Sequence, residues 1–460
     1  MKPDTAEMRT QEKDSPGRSG RLRFLSALIC LALAWVLQKV YRDIVYPQFN
    51  YLGYSYQDPQ LAPYALALAI VCLCAMLLPV KLRRPSDTIV WILFVVAGLP
   101  AILVPHYGGP LEASQAAMLS AQSGAVMLAI TVAARRNPLS LTLPRISLPV
   151  GVFWTGVAVY SLGVYTLIFA QFGVPTSVPN LLDVYDVRGD YRTALEGAAI
   201  LSYLIPTQAG VVNPIVIARG LQRGKTALIL LGLTGQIVIF AASGLKSVIL
   251  STPALILFYA ILRRDRFSYG WLIALGTFIG ALGSMVADLA RGTATWTSIS
   301  VRRFLLTPGL LAAAYVYVFD EAEKGYWAYS FLSSFRTYPY TESPPFMVGR
   351  IYFGREGMNS NASLFADGFA NLGFLGMAIE GGALIVLLWL VNASTQGLPN
   401  ALATLTFVVP AIALANSSVF TTALTHGLIA GILLSMLMAR EDRGRERDDA
   451  RGAAPPLLTR

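Results

Sequence analysis

Charge is scarce in this chain. Only 13% of its 460 residues are Asp, Glu, Lys or Arg, where a soluble protein carries about a quarter, so a water-facing globular surface is excluded. Histidine is scarcer still. His106 and His426 are the two, and with no acid–histidine cluster a metal site is not expected. His106 reads as a solvated residue of a short outer turn, and His426 as a packed residue of the last span. The three cysteines, Cys30, Cys72 and Cys74, sit inside apolar runs, which excludes a disulfide scaffold or a zinc knuckle. An internal repeat is also lacking.

What is abundant is apolar sequence in runs of about 20 residues, the length that crosses a bilayer as a helix. The pattern predicts an all-α polytopic membrane protein of about 12 transmembrane helices with a large late periplasmic loop. Residues 1–21 read as a disordered cytoplasmic N-terminus, 22–287 as the first nine spans, and 288–367 as a periplasmic segment. Residues 368–438 carry the last three spans and 439–460 a charged cytoplasmic tail. The first run follows Arg18, Arg21 and Arg23 and lacks a small-residue cleavage site, so it reads as a retained helix. The net charge of +10 would hint at nucleic acid in a soluble domain. Here the cations gather in alternate turns: Lys81, Arg83 and Arg84; Arg135, Arg136 and Arg145; Arg219, Arg223 and Lys225; Arg263, Arg264 and Arg266. That places those turns in the cytoplasm and makes membrane lipids, not nucleic acid, the expected partner. The run 304–319 breaks the alternation, because if it crossed, the two charged termini would fall on opposite sides. It is expected to be re-entrant or interfacial on the periplasmic side; the rival is that it spans and 269–287 does not.

Four polar features lie near the predicted outer face. The loop Asp183–Arg192 holds Arg188 and Arg192 among aspartates. These charges either pair in a solvated turn or aim an arginine fork at an anion. Lys246, in Ser243-Gly244-Leu245-Lys246-Ser247, either snorkels at the boundary or contacts a phosphate. Arg291, Arg302 and Arg303 either meet lipid headgroups or form one wall of a pyrophosphate site. Last comes the stretch from Gly349 to Gly376, with Arg350, Arg355, Glu356, Asn359, Asn361, Asp367 and Asn371. Asp367 and Asn371 are spaced i,i+4 and share a helical face at the mouth of a span, where polar groups either pair structurally or line a cavity. Glu380 follows in the same run. On a continuous helix it lies about 20 Å from Asp367, too far to act with it.

The strings Asn359-Ser360-Asn361 and Ala366-Asp367-Gly368-Phe369-Ala370-Asn371-Leu372-Gly373-Phe374-Leu375-Gly376 resemble the Wzy-type O-antigen polymerases. The loop around Asp183–Arg192, the turn around Lys246 and the stretch Arg303–Gly309 are similar to parts of that family. The resemblance implies a GT-C-like glycosyltransferase in the bacterial inner membrane, without cofactor or metal. It would join undecaprenyl-pyrophosphate-linked oligosaccharide repeat units at the periplasmic face, and a chain-length regulator is a possible partner; single-step attack from the opposite face would invert the anomeric centre. Under it, Asp367, Glu356 and Arg291 become candidate catalytic residues. Arg188, Arg192, Lys246, Arg302, Arg303, Arg350, Arg355, Asn359, Asn361 and Asn371 become candidate substrate contacts. The related O-antigen ligases carry a histidine–asparagine pair where this chain has Asn359-Ser360-Asn361, and an arginine where it has Lys246. A ligase, or a flippase for the same lipid-linked sugar, is the alternative.

Overall fold

The computed structural model describes residues 16–136, 143–144, 146, 148–175, 177–180, 184–196, 198, 200–264 and 267–438. Residues 1–15 and 439–460 of the expected disordered termini lie outside the described residues, while 16–21, expected to be disordered, form the start of the first helix. The chain is all helical, with no strand among the described residues. In order, the helices are α1 Gly17–Leu52, α2 Leu61–Leu77, α3 Pro85–His106, α4 Ala113–Arg135, α5 Val150–Phe172, α6 Tyr185–Glu196, α7 Leu201–Arg223 and α8 Thr226–Ser243. They continue as α9 Lys246–Leu262, α10 Trp271–Arg291, α11 Thr295–Phe319, α12 Pro344–Ile351, α13 Leu364–Ser394, α14 Asn400–Ala413, α15 Val419–Leu424 and α16 Leu428–Leu437. Ten helical stretches among the described residues, with Val419–Leu437 taken as one, are long and apolar enough to cross a membrane; α2, α9 and α14 are shorter apolar helices. This is a multi-pass membrane protein.

Helices that are apolar on every side must be surrounded by protein or by lipid. Both cases occur. Trp91, Leu93, Phe94, Leu99 and Leu103 of α3 are fully buried, so α3 runs through the centre of the bundle. α5 and α10 instead leave Val159, Leu162 and Ile279 exposed, as the lipid-facing rim requires.

Hydrogen bonds between helix ends assign each end to a side. Arg23 donates to Met76 O at 2.8 Å, and Arg135 donates to Leu77 O. Trp389 Nε1 donates to Ala133 O at 2.8 Å and Asn400 Nδ2 to Leu82 O at 2.9 Å. These groups mark one end, which we call the basic end. At the far end, Gln57 N donates to Tyr107 O at 3.0 Å, Gln115 Nε2 to Asp320 at 2.9 Å and Tyr352 OH to Gly53 O at 2.9 Å.

Two elements depart from simple crossing. α11 is 25 residues long and apolar enough to span, yet both of its ends are held at the far end. Its first turn donates Trp296 N and Thr297 N to Asp288, one turn before the end of α10. Its middle meets Tyr54 OH through Thr307 at 2.7 Å, and its end meets Gln115 through Asp320. Both ends of this helix thus bond to far-end groups, while its residues 298–306 pack on 94–98 in the middle of α3.

α13 is the second. At Leu372 (φ −154°, ψ 28°) and Gly373 (φ 62°, ψ −149°) the helix breaks, and Gly373 holds a conformation that is essentially glycine's alone. The chain folds back so closely that a Cβ on Gly368 would lie 2.6 Å from Met377 N. His106 also differs from expectation: it is 5% exposed, shielded inside the bundle and hydrogen-bonded to Ser120 Oγ at 2.8 Å.

Candidate functional site

A broken helix leaves carbonyls without partners. Here the freed carbonyls of Ala370 and Asn371 accept N–H groups from the loop after α11: Gly325 N at 2.9 Å and Tyr326 N at 3.0 Å. Asn371 Oδ1 accepts the next donor, Trp327 N, at 2.7 Å. Tyr326 and Trp327 adopt φ of 50° and 54°, a left-handed conformation that costs such residues about 1–3 kcal/mol each. The three hydrogen bonds to the broken helix hold them there.

This loop covers a carboxyl centre. Tyr329 OH donates to Asp367 Oδ1 at 2.8 Å, and Asn371 Nδ2 donates to Asp367 Oδ2 at 3.1 Å. Burial, and then the charge of Asp367, push the Tyr329 phenol well above its ordinary value, so it stays a donor. Glu380 comes up from the second part of α13 and is fully buried. Its Oε2 accepts Val419 N at 3.0 Å, the first donor of α15. Its other oxygen and the indole N–H of Trp327 are buried without a partner in hydrogen-bond range, although Glu380 lies close enough to interact with both Asp367 and Trp327. Level is set by neighbours on α4. Phe374 O accepts from Gln122 at 3.2 Å, and a Cβ on Gly381 would meet Val126 at 2.7 Å. Glu380 is thus level with the middle of α4.

The expected separation of Asp367 and Glu380 is overturned, because it assumed a continuous helix and the break at 372–373 brings them together. Sequence reasoning also missed Tyr329 and Trp327 as partners of this centre. A signal was available: the apolar run from Leu364 to Ser394 has two acids, and Gly373 stands where a helix-ending glycine would.

Other expected site residues are dispersed. Glu356, Arg355, Asn359 and Asn361 are exposed beyond α12, and exposed Arg350 pairs with Glu342 at 3.1 Å. Arg291 and Arg303 are exposed, while Arg302 stacks on Phe49 with its guanidinium 4.2 Å from the ring centre and bonds to Ser298 Oγ at 2.8 Å. Arg188 lies over the turn before Lys246: a Cβ on Gly244 would sit 2.9 Å from Arg188 Cγ. Val184 and Leu245 flank this pair in a packing cluster separate from the one around Arg302. Arg192 lies in α6 with its side chain outside the described residues, as is Asp183. The structure therefore groups Asp367 with Asn371 and Arg188 with the Lys246 turn. Among the described residues no group of three or more His, Cys, Asp or Glu is arranged to hold a metal.

No family model, curated protein or solved structure matches this chain.

Proposed function

We propose that this chain is a membrane-embedded glycosyltransferase that joins lipid-pyrophosphate-linked oligosaccharide repeat units, with its chemistry between the middle of the bundle and its far end. One observation carries the reading: a buried carboxyl pair, Asp367 and Glu380, lies beneath a folded aromatic segment. The far end also holds Arg302, and Arg188 over the turn that leads to Lys246. In such a transfer an acceptor sugar hydroxyl attacks the anomeric carbon of the donor. The bond to the pyrophosphate oxygen breaks, the lipid pyrophosphate leaves with the electron pair, and the hydroxyl proton passes to a carboxylate. Asp367 is the candidate acceptor of that proton. Arg188, Lys246 and Arg302 are the candidates to balance the negative charge on the leaving group. The positive-inside rule puts the basic end in the cytoplasm, which leaves this chemistry on the opposite face of a bacterial inner membrane.

The test is polymerisation of lipid-linked repeat units by the purified protein. Asp367→Asn should lower turnover at least about 100-fold, the usual size of a lost general base. Glu356→Gln, at an exposed site, should leave it unchanged. Full activity of Asp367→Asn, or of every one of Arg188→Ala, Lys246→Ala and Arg302→Ala, overturns the reading.

A second reading has its own observation. α13 is interrupted inside the bundle, and the short helix α15 meets it at Glu380. Discontinuous helices with an ionisable residue at their junction are the architecture of ion-coupled transporters. A flippase for the same lipid-linked sugar would translocate it in sealed vesicles without forming polymer, and Glu380→Gln would abolish that movement.

A further inference from the structure

The basic end carries a hollow that the function proposed above does not use. Five cations line it: Arg23 from α1, Lys81, Arg83 and Arg84 from the turn between α2 and α3, and Arg135 from the end of α4. Its volume is about 330 Å³. Asp87 is the carboxylate on its wall, and its Oδ2 accepts Arg83 N and Arg84 N at 3.0 Å each. That oxygen is thus committed to shaping the turn.

Hydrogen bonds fasten the walls to neighbouring helices. Leu82 N donates to Ser268 O at 2.9 Å and Gly270 N to Val80 O at 3.0 Å, which fastens the turn to the start of α10. Lys81 Nζ lies 3.8 Å from the centre of the Tyr269 ring. Arg23 and Arg135 are anchored on the last carbonyls of α2. A guanidinium has five donors, and the bonds to Met76 and Leu77 engage one nitrogen of each. Orientation in the membrane requires basic residues at this end; it does not require four arginines to converge on one cavity whose acid among the described residues, Asp87, is already committed to the turn. Like charges held this close repel, and an anion removes that cost.

We propose that this hollow binds a phosphate group, carried by an anionic lipid headgroup or present as a free ion. Arginine forks match phosphate oxygens two at a time, and basic pockets between helices at a membrane surface bind anionic headgroups.

The experiment uses the full chain in phosphatidylcholine nanodiscs. Cardiolipin or phosphatidylglycerol is added in one arm and inorganic phosphate in another, with retention read by native mass spectrometry and stability by thermal melting. Stabilisation by the lipids alone assigns a headgroup site; equal stabilisation by inorganic phosphate assigns a free-ion site. The variant Arg83→Gln/Arg84→Gln should weaken retention at least about tenfold. The matched variant Arg263→Gln/Arg264→Gln, in another basic turn, should not. Equal loss in both variants, or no stabilisation of the wild type by either the anionic lipids or inorganic phosphate over phosphatidylcholine alone, overturns the proposal. Should the first variant fail to insert, wild-type protein labelled with a headgroup-reactive anionic lipid decides the matter. Adducts should concentrate on 79–87 and on 19–23, and an even spread over the basic turns sinks it.

Discussion

Asn371 shows what one side chain can hold. Its carbonyl oxygen accepts Trp327 N, and its amide donates to both the backbone and the carboxylate of Asp367. The residue is fully buried, so water cannot replace those bonds. Asn371→Ala should therefore cost about 1–3 kcal/mol, the penalty for stranding a buried polar group. Asn359→Ala and Asn361→Ala, at exposed positions, should change stability by less than about 0.5 kcal/mol. Thermal unfolding of the three variants in detergent measures this, and indistinguishable melting curves would refute the role given to Asn371. The pairing of Asn371 with Asp367 was legible in the sequence, because i,i+4 spacing on a helix fixes it. Tyr329 was not legible as a partner. It sits 38 residues from Asp367, and no local periodicity links a loop aromatic to a helix that far away.

At the level of elements, the spans were legible because each apolar run is bounded by turns and charges. The interior of α13 was not. Hydropathy is blind to direction, and a run from Leu364 to Ser394 is equally apolar whether it is straight or folded back. The break rests on two glycines in different ways. Gly373 supplies a backbone conformation that other residues reach only at a cost of about 1–3 kcal/mol. Gly368 supplies room, since a side chain there would strike the backbone at Met377. Gly368→Ala should destabilise by about 1–3 kcal/mol through overpacking and spread the carboxyl pair apart. Gly382 lies on the same helix with open space around it, so Gly382→Ala should be neutral or slightly stabilising, as alanine favours helix. Melting temperatures of the two variants are the measurement. Equal shifts would show that the contact between residues 368 and 376–377 does not shape the site.

For the whole molecule, the alternation of basic turns encodes which end each helix occupies, and hydrogen bonds between distant turns agree on those ends. α11 is where length and contacts part ways. A straight helix of 25 residues reaches about 37 Å, enough to cross, so length alone would carry residues 320–363 to the basic end. The contacts forbid it: Asp320 is bonded to the first turn of α4 and Tyr352 to Gly53 beyond α1. Placing that segment at the basic end would break these bonds and strip the cover from Asp367. Single cysteines at Asp58, Lys225 and Glu356, all exposed, test this with a membrane-impermeant maleimide on intact cells and on inverted vesicles. Positions 58 and 356 should label from the same side, and 225 from the other. Labelling of 356 together with 225 would mean that α11 crosses, and the loop that meets Asp367 and Asn371 would then stand on the wrong side of the membrane.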